Sequence, residues 1–129
     1  METFKSPEVI VNRTTEELFE MIGDLNNLED LMPSTIQNFQ STKSTCSLKM
    51  KGLPELNFKL AEKIPYSKIS LTAEGSQIPF SLDCFIAAKN SQCQAQLEVN
   101  IELNMMMKMM VEKPLTQFLD LLASKMASI

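Results

Sequence analysis

The sequence predicts an α+β fold: a curved antiparallel sheet covered by one long C-terminal helix, with two short helices after the first strand. Three patterns carry this. From Ile36 to Leu103 apolar and polar residues alternate, as in strands with one face buried and one wet. From Asn104 the period lengthens to three and four, giving one broad apolar stripe that ends at Met126. Between Thr14 and Pro33 two helix-start signals follow each other closely. A sheet with one apolar face must be covered, and the long amphipathic helix is the element available.

In chain order, Glu2 to Asn12 begins as a strand, because Val9, Ile10 and Val11 have high strand propensity. Pro7 has no N–H and predicts an edge position or a bulge. Thr14-Thr15-Glu16-Glu17 reads as a capping box, in which hydroxyl and carboxylate each accept from the other residue's backbone. Leu18, Phe19 and Ile22 give that helix its apolar face, and Gly23 predicts a left-handed stop. Asp24 reads as the N-cap of a second short helix. Leu25, Leu28, Leu31 and Met32 are its buried side, and Pro33 follows its end.

The alternating region resolves into faces. Cys46, Leu48 and Met50 oppose Ser47 and Lys49, and Lys51-Gly52-Leu53-Pro54 is a turn. Leu56, Phe58, Leu60, Glu62 and Ile64 share inward parity against Asn57, Lys59 and Lys63. Pro65-Tyr66 turns the chain. Ile69, Leu71 and Ala73 form the next face, stopped by Glu74-Gly75-Ser76. Phe80, Leu82, Cys84 and Ile86 follow, ended by Lys89-Asn90-Ser91. Ala95, Leu97, Val99, Ile101 and Leu103 then alternate with Gln94, Gln96, Glu98, Asn100 and Glu102. Short turns between successive strands make a meander. In the closing helix, Asn104 is the cap, and Met107, Met110, Val111, Leu115, Phe118, Leu119, Leu122 and Met126 are the stripe. Pro114 predicts either a kink or a start delayed to about that residue. With no repeat, linker or low-complexity segment, residues 1–129 are expected to form one domain.

Composition narrows the function. The net charge is −4, the pI is about 4.9, and no basic stripe offsets it, which argues against nucleic acid and anionic lipid. No apolar run approaches the roughly 20 residues of a membrane helix, and the N-terminus lacks the marks of a signal peptide. Three cysteines, an odd set without metal-like spacing, fit a reduced cytoplasmic protein. The chain has no histidine, which removes the commonest general base and zinc ligand.

The stretch NMMMKMM raises the sharpest question. A thioether metal site is poor chemistry here, because Met105, Met106 and Met107 cannot all point one way and no Cys lies beside them. An interfacial helix would want Lys and Arg on its polar side, whereas this one mixes Lys108, Glu112, Lys113, Gln117, Asp120 and Lys125. Methionine fills irregular gaps, so the stretch reads as core and as a conformable cavity wall. Met107 and Met110 are expected to face the sheet, with Met106 and Met109 near an entrance or a partner surface. Parity points Cys46, Cys84 and Cys93 inward as small buried hydrophobes. Glu62, inward by parity, is the candidate polar anchor for a ligand unless it reaches solvent at the strand end. Arg13 is expected to pair with Glu16 or Glu17, Tyr66 to pack on the sheet rim, and Asp83 to be solvated. No phosphate loop, nucleophile elbow or dinucleotide fingerprint is present.

The order of elements, with VNRTTEELFEMIGDLNNLEDLMP near the front and KPLTQFLDLLASKM at the end, resembles the START-like (SRPBCC) superfamily. That group includes the birch-pollen-allergen type, polyketide cyclases and quinone-binding proteins. The resemblance implies a helix-grip fold, with an apolar cavity between the bent sheet and the C-terminal helix. It also implies ligands such as lipids, sterols, quinones or aromatic polyketides. The expected reading is a binder or carrier of a small hydrophobic molecule, without cofactor, metal or catalytic residue. Its cavity is expected from Met32, Leu48, Met50, Phe58, Leu60, Glu62, Leu71, Phe80, Leu82, Leu97, Val99, Met107, Met110, Val111 and Phe118. A cyclase or isomerase using the same cavity, and a protein-interaction module with a filled core, are the alternatives.

Overall fold

The structure is a computed structural model that describes residues 1–50, 54–75 and 79–129. The expected turn at Lys51-Gly52-Leu53 and residue Ser76 lie outside the described residues. Strands β1 (Glu2–Lys5) and β2 (Val9–Val11) precede helix α1 (Thr15–Ile22) and a 3₁₀ helix (Leu25–Leu31). A meander follows: β3 (Gln37–Ser41), β4 (Thr45–Lys49), β5 (Leu56–Ile64), β6 (Lys68–Ala73), β7 (Phe80–Lys89) and β8 (Gln92–Ile101). Helix α2 (Met105–Ala127) closes the chain. The eight strands form one antiparallel sheet in the order β1-β8-β7-β6-β5-β4-β3, with β2 also on β8. One face of this sheet and the inner side of α2 make the core, so the predicted layers are present.

Pro7 marks both an edge and a bulge. Lys5 faces Glu98, whereas Val9 faces Ala95, so one extra residue sits between the two strands. Ser6 repairs the ladder. Its N–H donates to the Leu97 carbonyl, and its Oγ accepts from the Leu97 N–H, both at 2.9 Å. The Ser6→Ala variant removes that acceptor from a buried donor, which costs about 1–3 kcal/mol. The check is the urea midpoint, which should fall with an unchanged slope; an unmoved midpoint would mean that the Leu97 N–H finds another acceptor.

Local signals set the helix starts. Thr14 Oγ1 accepts from the Glu17 N–H at 3.1 Å while Glu17 Oε1 accepts from the Thr14 N–H at 3.0 Å. The Thr14 backbone donor chiefly holds the Glu17 carboxyl below its ordinary range, and the Arg13 charge adds a smaller pull. Arg13 itself makes no direct ion pair among the described residues. Asp24 Oδ1 caps the 3₁₀ helix through the Asn26 N–H. Gly23 corrects its expectation: its φ is −72°, not left-handed. Space is the reason for glycine there, because a Cβ would lie 2.9 Å from the Phe19 carbonyl and 3.0 Å from Lys63 Nζ. Lys63 thus brings to the C-terminal end of α1 the cation that the helix lacks in its own last turn.

The same Lys63 shows where strand parity fails. Leu60 faces Leu71 but Glu62 faces Ser70, so β5 carries a bulge around Ala61. A one-residue insertion turns every later side chain to the opposite face. Glu62 therefore leaves the interior and pairs with Lys68 at 3.3 Å on the outer surface. Ile64 turns outward with it, and Lys63 turns in to lie 5.6 Å from the Phe19 ring. Tyr66, at φ 64° in the turn, completes that corner by meeting Phe19 edge-on at 5.5 Å.

Asp83 also departs from expectation. It points outward but is only 8% exposed, in the cross-strand row Glu62, Ser70, Asp83, Glu98. A central strand lets neighbours on both sides cover a short side chain, and the Ser70 hydroxyl donates to Asp83 Oδ1.

Helix α2 starts at Met105, not at Pro114, because Asn104 Oδ1 accepts from the Met107 N–H at 2.8 Å. The helix runs through Pro114, which has no N–H to give to the Met110 carbonyl. Val111, Leu115, Phe118, Leu119, Leu122, Ala123 and Met126 are buried, and Met107 is half-buried against them. Met110 is not with them. It lies about 140° round the helix from the centre of the buried arc at 3.6 residues per turn, and is 60% exposed.

Candidate functional site

Among the described residues the interior beneath α2 is nearly filled. One apolar space of about 40 Å³ lies where the 3₁₀ helix, the sheet and the last turns of α2 meet. Of the expected cavity residues, Met32, Leu71, Leu82 and Leu97 line it. Ile22, Leu25, Leu28, Leu31, Ile69, Cys84, Leu122 and Met126 join them. A second space of about 20 Å³ adjoins through Leu82. Of the expected cavity residues, Leu48, Met50, Phe58, Phe80, Val99 and Phe118 line it, with Leu56, Ile101 and Leu115 beside them. Phe58 and Phe80 meet edge to face there, 4.6 Å apart.

The remaining expected residues lie elsewhere. Leu60 and Met107 pack at the edge of the core, and Val111 is wholly buried, but none lines either space. Glu62 and Met110 face outward. The added residues carry a signal in the sequence: Leu25, Leu28 and Leu31 mark one side of the second short helix, and Leu122 and Met126 belong to the apolar stripe.

The chemistry of this interior is plain. Of its lining side chains only Cys84 ionises, and burial chiefly pushes that thiol up to about 12. Burial likewise raises Cys46 to about 11 and moves Cys93 upward. Thiols so placed stay protonated and are poor nucleophiles. Among the described residues no three His, Cys, Asp or Glu side chains are grouped to hold a metal ion. No helix among them is long and apolar enough to cross a membrane.

A second feature lies outside the core, on the first turns of α2. Met105, Met106, Met109 and Met110 are between 60 and 81% exposed. Spacings of three and four put Met105 beside Met109 and Met106 beside both Met109 and Met110, so the four share one broad face, turned away from Met107 and Val111. On one side of the stripe, Leu103, Met105 and Met109 border a groove of about 420 Å³, together with Glu2, Lys108 and Glu112. Lys108 and Glu2 pair at 3.3 Å and fasten the helix start to β1.

Comparison with family models gives no match, and comparison with curated proteins gives none either. Solved structures do match. The solution structure of KanY protein has a TM-score of 0.77 at 8% identity, covering 99% of this chain and 97% of that one. Norcoclaurine synthase from Thalictrum flavum has a TM-score of 0.70 at 14% identity, covering 98% and 84%. A START superfamily protein from Mycobacterium smegmatis has a TM-score of 0.69 at 12% identity, covering 98% and 94%. Identities this low speak for the fold alone. The bent eight-stranded sheet gripping α2 is a helix-grip fold, and these solved structures share it.

Proposed function

We propose that this protein is an interaction module with a filled core, binding an apolar surface of another protein chain on the methionine stripe of α2. The single observation that carries this is four methionines left in water on one helix face while the interior beneath them is packed. Apolar patches of this kind on soluble proteins mark binding surfaces. Unbranched thioether side chains suit such a role because they re-pack against different shapes. Three unpaired, buried thiols support placing the protein in a reducing compartment such as the cytoplasm.

A photocrosslinking residue at position 109 tests the reading in cells. It should give a discrete adduct with a protein, lost when Met106→Asp is added. No protein adduct, with native mass spectrometry showing a co-purified lipophile instead, would overturn it.

The second reading is the binding of a small hydrophobic molecule of lipid, quinone, sterol or polyketide kind between sheet and α2. It is favoured by the wholly apolar lining of the larger space and by the unbranched Met32 and Met126 in its wall. Magnitude puts it second. Ligand pockets start at about 300 Å³. Opening the interior to that size costs about 6 kcal/mol at ~24 cal/mol per Å³. Such a cost lowers apparent affinity by about four orders of magnitude.

A further inference from the structure

We infer that the occupant of the methionine stripe is a second copy of this chain, joined as an antiparallel pair of α2 starts about a two-fold axis. This rests on the reading of the stripe as a docking surface and names its partner. The first argument is shape. A two-fold contact requires one patch to be complementary to itself. Here Met105 and Met109 border the groove, while Met106 and Met110 stand on the other side of the same stripe as projecting side chains. Each copy therefore offers projections and a groove of about 420 Å³ that receives them.

The second argument is charge. Glu102 lies before the stripe and Lys113 after it; both are exposed, and neither has an ion-pair partner among the described residues. An axis through the middle of the stripe brings Met105 opposite Met110 and Met106 opposite Met109, and carries the second copy's Lys113 past Met105 towards Glu102, in the segment just before the helix. A parallel pair would instead set Lys113 against Lys113. Antiparallel packing also sets the helix dipoles head to tail.

The third argument is area. Four exposed methionines with Leu103 give a patch on the order of several hundred Å². That falls somewhat short of the roughly 800 Å² per partner of a standard interface. The pair should therefore be weak and depend on concentration.

Sedimentation of the purified full chain over a wide concentration range tests this. The wild type should pass from 14.5 kDa to twice that mass with a dissociation constant in the micromolar range. Met106→Asp with Met110→Asp should stay monomeric throughout with an unchanged melting temperature, since both residues are exposed. Lys113→Glu should weaken the dimer about tenfold or more, and adding Glu102→Lys should restore it. A wild type that stays monomeric up to millimolar concentration overturns self-docking, as does a charge swap that restores nothing. If position 109 then crosslinks to a different protein, the docking reading stands and only the second copy is wrong. If it crosslinks to nothing, both fall.

Discussion

Truncating Phe118 to alanine should cost about 3–5 kcal/mol of stability, the range for removing a large ring from a core. Phe118 is buried on α2 and lines the smaller space along with Phe58, Phe80 and Leu115. The loss has two parts: the transfer free energy of the ring, and the contacts that its neighbours forfeit around the new void. Chemical denaturation with an unchanged slope measures it. The variant also probes the interior. Its enlarged void should take up benzene or xenon, which dry apolar cavities accept, whereas the wild-type interior of about 20 Å³ at that point should not. A loss below about 1 kcal/mol would show that the helix collapses to fill the gap, and that the packing is looser than described.

Raising the pH should destabilise the fold through its buried thiols. Cys46 ionises at about 11 and Cys84 at about 12 in the folded chain, both raised chiefly by burial from 9.0. The unfolded chain therefore releases these protons first, and folding stability falls as the pH rises above the unfolded value. The contribution is intact below pH 9 and is gone by the time the pH reaches the folded values. A tenfold change in a thiol's proton affinity corresponds to about 1.4 kcal/mol, so the two thiols together withdraw several kcal/mol across that window. Melting temperatures from pH 8 to 11 should fall steeply in the wild type and less in Cys84→Ala. Equal slopes in both proteins would place the alkaline sensitivity elsewhere. The same burial predicts that neither thiol reacts with an alkylating reagent at neutral pH until the chain unfolds.

The parts of this fold legible in the sequence are those whose causes are local. Thr14 and Glu17, Asp24 and Asn104 cap their helices because the partner of each is two or three residues away. The strand faces of β4, β6, β7 and β8 follow from alternation, and Cys46, Cys84 and Cys93 sit inward by the same rule. Alternation carries no mark for an inserted residue, so the bulge at Ala61 is invisible there, and Glu62 and Ile64 are misplaced with it. Met110 is lost for a related reason. Where positions 105 to 107 and 109 to 111 are all apolar, the helical period has no phase, and only the anchors at Val111 and Leu115 supply one. The occupancy of the interior is not written locally at all. It depends on how Leu82 and Phe118 interlock with side chains far away in the chain.

Pro114 divides the labour of α2. Ahead of it, the spiral is fastened to the body by little more than Val111, the half-buried Met107 and the Lys108–Glu2 bridge. Behind it, six buried side chains from Leu115 to Met126 are wedged into the sheet. The ring omits one of the hydrogen bonds that couple the two lengths, so this is where bending the helix meets least resistance. The protein thus has a lightly held handle set on a firmly wedged hub, joined at the proline.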